Sequence, residues 1–164
     1  QIIVESGAIM ELILDRHAPD KLKPTLNSDQ YVTYLMWMHY AEGSLAARLF
    51  SDYRAWGIKP PETRSRLVDS EAVVQFTENF LSENSYFGGD EFSAADIMMV
   101  FPLNVATVLG LVDEAMFPNV AAWKERVMAR PGYQRMLAAA RPDGMIGSLP
   151  KVQQRPPSGS RGTR

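Results

Sequence analysis

The chain has no cysteine among its 164 residues. That excludes a disulfide framework, a thiolate zinc site and a cysteine nucleophile within these residues. Histidine is scarce too. The only two, His17 and His39, stand at no ligand spacing, which argues against a metal site. No run approaches the roughly 18 apolar residues that a membrane-spanning helix requires. A strong charge of one sign is also missing: the formal net charge is -2, which offers no general reason to expect nucleic acid. Residues 148–164 contain no acidic residue and hold Lys151, Arg155, Arg161 and Arg164, leaving 13 of the 17 basic residues against all 19 acidic ones elsewhere. The pattern is an acidic body with a basic tail. The chain opens on Gln1 with no basic region before Ile2-Ile3-Val4, so it does not read as a signal peptide. The missing Met leads us to expect an incomplete N-terminus.

What is present fits a folded domain. The apolar share is 46% and the charged share 22%, both ordinary values. A chain of this length buries roughly 70% of its unfolded surface. It is sized for one domain, or one domain with part of another.

The first segment reads as a strand turning into a helix. Ile2, Ile3 and Val4 are β-branched, Glu5-Ser6 breaks the run, and apolar residues then recur at 8, 9, 12 and 13. Ser6 is placed to cap that helix. A lone strand needs partners. Residues 18–27, with Pro19 and Pro24, read as a linker. A long helix is expected from Ser28 or Asp29 to about Trp56, with Tyr31, Leu35, Met38, Leu45 and Leu49 as its apolar stripe. Gly43 within it suggests a kink or close packing. A second helix is expected over 62–85, with Leu67, Val73, Val74, Phe80 and Leu81 buried. A third runs from Ala94 to Leu111, apolar nearly all round and therefore central. Ser93 and Asp96 form an N-terminal capping box, with Phe92 and Ile97 as its hydrophobic staple. Pro102 should bend this helix. A fourth helix follows Pro118 and places Val120, Trp123, Val127 and Met128 inward. A fifth covers Gly132–Arg141, with Tyr133, Met136, Leu137 and Ala140 inward. Residues 143–164 lose periodicity and read as disordered.

Three polar groups invite chemical readings. At Glu5-Ser6, a helix N-terminus offers free N–H groups and partial positive charge for a carboxylate, while Glu5 suits an ammonium. An amino-acid headgroup carries both charges. The competing reading is a plain helix cap. His39 and Glu42 lie about 60° apart at 100° per residue, close enough for a polar pair. That pair reads either as acid–base chemistry or as packing, and no activated nucleophile stands nearby. Ser93 and Asp96 read as a cap and not as a catalytic pair.

Four stretches then coincide in order: Val-Glu-Ser-Gly-Ala-Ile (4–9), Met-His-Tyr-Ala-Glu-Gly-Ser (38–44), Gly-Gly-Asp-Glu-Phe-Ser-Ala-Ala-Asp-Ile (88–97) and Phe-Pro-Asn-Val-Ala-Ala-Trp-Lys-Glu-Arg-Val-Met-Ala-Arg-Pro (117–131). Together they resemble the glutathione S-transferase family, of the bacterial and fungal type, over residues 1 to about 141. The resemblance implies a mainly α fold: the family's C-terminal helical bundle, preceded by a strand–helix remnant of a thioredoxin-like domain. On that division, residues 1–17 are the remnant, 18–27 the linker, 28–142 the helical domain and 143–164 a basic tail. The family's Glu/Gln-Ser pair binds the γ-glutamyl end of glutathione, so the resemblance carries that role to Glu5 and Ser6. It implies glutathione as cosubstrate, an electrophilic apolar substrate, and a substrate cleft walled by Tyr34, Met38 and His39. It also implies a cytoplasmic homodimer joined through the first two long helices. No catalytic residue and no metal ligand is assigned, because no position matches the family's thiolate-stabilising Tyr, Ser or Cys or its cis-proline loop. The alternative is a non-catalytic helical interaction module of the same C-terminal type.

Overall fold

A computed structural model of the chain describes residues 2–19, 21–58 and 69–140. Its helices are α1 (Ser6–His17), α2 (Asp29–Tyr40), α3 (Ala47–Ile58), α4 (Ser70–Leu81), α5 (Ala94–Val108), α6 (Pro118–Met128) and α7 (Pro131–Ala140). A π-helical segment, Ala41–Ala46, joins α2 to α3 without a break, and a short 3-10 turn, Glu114–Met116, precedes α6. There is no strand among the described residues, only one bridge between Tyr86 and Gly89. The fold is thus mainly α, as the sequence implies.

α5 lies at the centre and packs against α1, α2, the π segment, α3 and α6. Its composition explains why. Ala94, Ala95, Met98, Met99, Leu103, Val105 and Ala106 are all buried, so this helix has little polar face to turn to water. Opposite it, Trp37 of α2 is fully enclosed by rings from Tyr40, Phe76, Phe80 and Phe87, at centroid distances of 4.7–5.2 Å. Phe87 continues the cluster to Trp123 of α6 at 4.9 Å.

Carboxylates join the helix ends. Asp96 forms the expected capping box with Ser93, and does more. Its Oδ2 accepts from the Ser93 N–H (2.8 Å) and hydroxyl (3.0 Å), and its Oδ1 accepts from the Phe87 N–H (2.9 Å) and Trp123 Nε1 (2.7 Å). One buried side chain therefore ties the turn before α5, α5 itself and α6 together. Burial pushes its carboxyl above the ordinary range, against the pull of these four bonds. Glu78 of α4 caps α6: Oε1 accepts from the Asn119 N–H (3.0 Å) and side-chain amide (2.7 Å), and Oε2 accepts from the Val120 N–H (2.9 Å). Asp52 of α3 accepts from both the N–H and the hydroxyl of Ser70, each at 2.7 Å, at the start of α4.

Several expectations need correction. Ile2, Ile3 and Val4 form no strand and are exposed, Ile2 to 93%, because no neighbouring strand supplies a ladder among the described residues. In α1 the inward residues are Leu14, buried, and Met10, partly buried, whereas Ile9 and Ile13 face out. Residues 18–27 do more than link. Leu22, at φ 62, packs against the core, and its carbonyl accepts from the Ala94 N–H at 2.7 Å, the first amide of α5. Leu35 and Met136 are exposed, not inward. The staple is also different: Ile97 is exposed, and Phe92 packs edge-on to Tyr86 beneath the Arg130 guanidinium, 3.8 Å from its ring centre. α5 ends at Val108, three residues before Leu111, where Gly110 at φ 72 allows a Schellman closure. There the Leu111 N–H reaches the Ala106 carbonyl and the Gly110 N–H reaches the Thr107 carbonyl. The expected helical start at 62–68, Leu67 and the tail 143–164 lie outside the described residues.

Candidate functional site

Ser6 is the first residue of α1 and Glu5 its N-cap. The Glu5 carbonyl accepts from the Ile9 N–H at 2.9 Å, opening the helix. The first amides of α1 have no partner within the helix, so they carry the positive end of its dipole. Glu5 adopts φ 76, ψ 116. A side chain at positive φ costs on the order of 1–3 kcal/mol and recurs at ligand-binding turns.

The Ser6 hydroxyl does not cap its own helix. It donates to Glu42 Oε1 at 3.0 Å. Glu42 is the second residue of the π segment. Ala41, Leu45 and Ala46 of that segment are buried, while Glu42, Gly43 and Ser44 are exposed. Gly43 is not there for close packing, since a methyl group at its Cα would meet nothing within 4 Å. The expected kink is realised as the wider π turn. Sequence reasoning paired Glu42 with His39 on an α-helical wheel. The structure pairs Glu42 with Ser6, 36 residues away. The Gly within a helical pattern was the available signal that the wheel breaks here.

Of the expected cleft residues, Tyr34 and Met38 are each only 2% exposed and belong to the core, so neither presents a wall to solvent. His39 is exposed. The three therefore do not share a surface, because Tyr34 and Met38 lie on the buried side of α2 and His39 on its exposed side. Tyr34 faces Glu11 and Asp15 of α1. Burial first, and then the charges of Glu11, Tyr31 and Asp15, push its hydroxyl up to about 12. Asp15 is bonded to Lys23, which holds the segment after α1 against that helix. His17 is exposed at the end of α1.

The arrangement at residues 6 and 42 thus sets the free N–H groups that open α1 beside one serine oxygen and one exposed carboxylate. It presents no group activated for nucleophilic attack. Among the described residues, no helix is long and apolar enough to cross a membrane.

Comparison with known proteins places this geometry in context. Residues 56–131 match the family described as glutathione S-transferase, C-terminal domain. Glutathione S-transferase 3 of Schizosaccharomyces pombe is 25% identical over 144 residues, covering 78% of this chain and 59% of the relative. The chain therefore spans somewhat over half the length of that relative. Among solved structures, glutathione S-transferase 1-6 from Anopheles dirus species B superposes with a TM-score of 0.73 at 21% identity, over 87% of this chain and 68% of that one. A sphingomonad glutathione S-transferase solved with glutathione gives 0.67 at 21%, over 84% and 67% of the respective chains. The match at 56–131 takes in α4, α5 and α6 with the Asp96-centred cap, and over these residues the chain is similar to the C-terminal helical domain of glutathione S-transferases.

Proposed function

We propose that this chain forms the γ-glutamyl end of the glutathione site in a glutathione S-transferase. The observation that carries this reading is Ser6 at the N-terminus of α1, with its hydroxyl engaged by a second element of the fold. The first-turn amides and Ser6 take the glutathione α-carboxylate, and Glu5 takes the neighbouring ammonium. In the reaction, the glutathione sulfur attacks an electrophilic carbon of an apolar substrate, a thioether bond forms and the leaving group departs with the displaced electron pair. The residues assigned here bind and orient glutathione. None is assigned the thiolate.

Exposed apolar residues support the rest of the reading. Ile2, Ile3, Val4, Ile9 and Ile13 are exposed, and they suit packing against the rest of a thioredoxin-like domain of which residues 1–17 are the last part. Val32 and Met36 on α2 and Phe76 on α4 are exposed to 73%, 42% and 46%. They suit a homodimer interface through these helices, in a cytoplasmic enzyme. His39 remains the one assigned cleft residue within reach of a substrate.

The test is glutathione affinity, measured by calorimetry on the protein made from its full reading frame. Ser6→Ala is expected to weaken binding by about 1–3 kcal/mol, the range for losing a charge-assisted hydrogen bond. Unchanged affinity rejects the assignment.

A further inference from the structure

We infer that Leu22 and Lys23 are positioning residues for the glutathione site: they latch the chain after α1 both to that helix and to the start of α5, and so fix where α1 stands against the bundle. The role rests on the glutathione reading above. Little else holds α1. Leu14 is its one buried residue and Met10 is partly buried, while Ile9 and Ile13 face out. Its first residue is tied by the Ser6–Glu42 bond. A helix that buries so little apolar surface takes its position from the ties at its ends.

The C-terminal end is tied by the turn that follows it. The Ala18 N–H closes the helix on the Leu14 carbonyl at 2.8 Å, and the Lys21 N–H bonds the Ala18 carbonyl at 3.0 Å. Lys23 Nζ then reaches back to Asp15. Beside that ion pair, Leu22 stands at φ 62, in the left-handed region that a leucine seldom occupies. In this conformation its side chain packs on the core and its carbonyl accepts from the Ala94 N–H at 2.7 Å. Ala94 is fully buried and opens α5, so its N–H has no acceptor within its own helix. The Leu22 carbonyl supplies one, next to the Ser93–Asp96 cap. Backbone strain persists only where the surroundings over-determine it. Here the surroundings are the bond to Ala94, the packing of Leu22 and the ion pair beside it. With the ion pair gone, relaxation of Leu22 to negative φ turns its carbonyl away from Ala94. One turn therefore holds both α1 and the first amide of α5, and a ligand that needs α1 in this position favours the closed latch.

The experiment measures glutathione affinity by calorimetry and amide hydrogen exchange by NMR, on the protein made from its full reading frame. Lys23→Gln removes the ion pair and is expected to weaken glutathione binding about two- to fivefold, a modest figure because Asp15 is largely exposed. Lys23→Arg keeps the charge and binds like the wild type. Coupling is reciprocal, so saturating glutathione slows exchange at the Ala94 amide more than at the backbone amide of Trp123, buried in α6, which follows global unfolding. A residue that only adds stability moves both amides alike. Unchanged affinity in Lys23→Gln overturns the proposal. So does a loss in Lys23→Arg as large as in Lys23→Gln, and so does equal slowing at Ala94 and Trp123. Each of these results leaves the glutathione reading standing if Ser6→Ala still weakens binding. Loss of that Ser6 effect overturns both.

Discussion

Tyr34 Oη and Trp37 Nε1, one turn apart on α2, are buried with no hydrogen-bond partner among the described residues. Each such group forfeits its water contacts for nothing, at a cost of about 1–3 kcal/mol. For Tyr34 the remedy is simple, because phenylalanine keeps the ring and discards the orphaned hydroxyl. Tyr34→Phe is expected to leave stability unchanged or raise it by up to about 2 kcal/mol. Thermal unfolding checks this: a lowered midpoint would reveal a partner for the hydroxyl. The same residue shows what sequence hides. Tyr34 and Met38 are chemically suited to line a cleft, and their spacing puts them on one helical face. Which way that face points depends on α5, and no local pattern records it.

At the scale of elements, buried carboxylates hold the bundle together where helix ends meet. Ser93 and Asp96 are three residues apart, so their cap is legible in the sequence. The further bond from Trp123 to Asp96 spans 27 residues and is not. Glu78 is the clearer case. Its three bonds to the start of α6 reach across 41 and 42 residues. Glu78→Ala would leave two backbone N–H groups of α6 without their acceptor and remove a negative charge from the positive end of a helix. We expect a loss of about 2–4 kcal/mol, combining the lost cap with buried donors left unsatisfied. Chemical denaturation measures it, and a change below about 0.5 kcal/mol, typical of surface substitutions, would show that water replaces the carboxylate.

For the molecule as a whole, the core sets a limit on alkaline stability. Tyr34 and Tyr40 are both pushed from 10.0 up to about 12, in each case chiefly by burial. Tyr40 also donates to the Val73 carbonyl at 3.0 Å, linking α2 to α4. The folded state therefore keeps these protons where the unfolded chain releases them. That contribution to stability is complete below pH 10 and is lost as pH rises toward 12. Unfolding followed by circular dichroism should coincide with the appearance of phenolate absorbance from these two tyrosines. Phenolate signal from all tyrosines with the helices intact would show that the core admits the charged form. At this scale the mainly α character, the central position of α5 and the helix following Pro118 were all legible, because each rests on periodicity within one segment. The direction of α1 was not. Ile9 and Ile13 have helical spacing, yet Met10 and Leu14 face the core.

The sequence by itself determined the features whose cause is local. Those are the helical periods, the Ser93–Asp96 cap, the interrupting Gly43 and the Glu5-Ser6 turn into a helix. Propensity, capping and turn chemistry act over a few residues, and a reader can recover them from order alone. Only the tertiary structure decided how those pieces face one another. It buried Tyr34 and Met38 and left His39 outside. It replaced an α-helical turn with a π segment and so aimed Glu42 at Ser6 instead of His39. The physical reason is that burial and long-range hydrogen bonds depend on which surfaces meet. Each helix offers several faces with enough apolar area to pack, and the choice among them belongs to the assembled bundle.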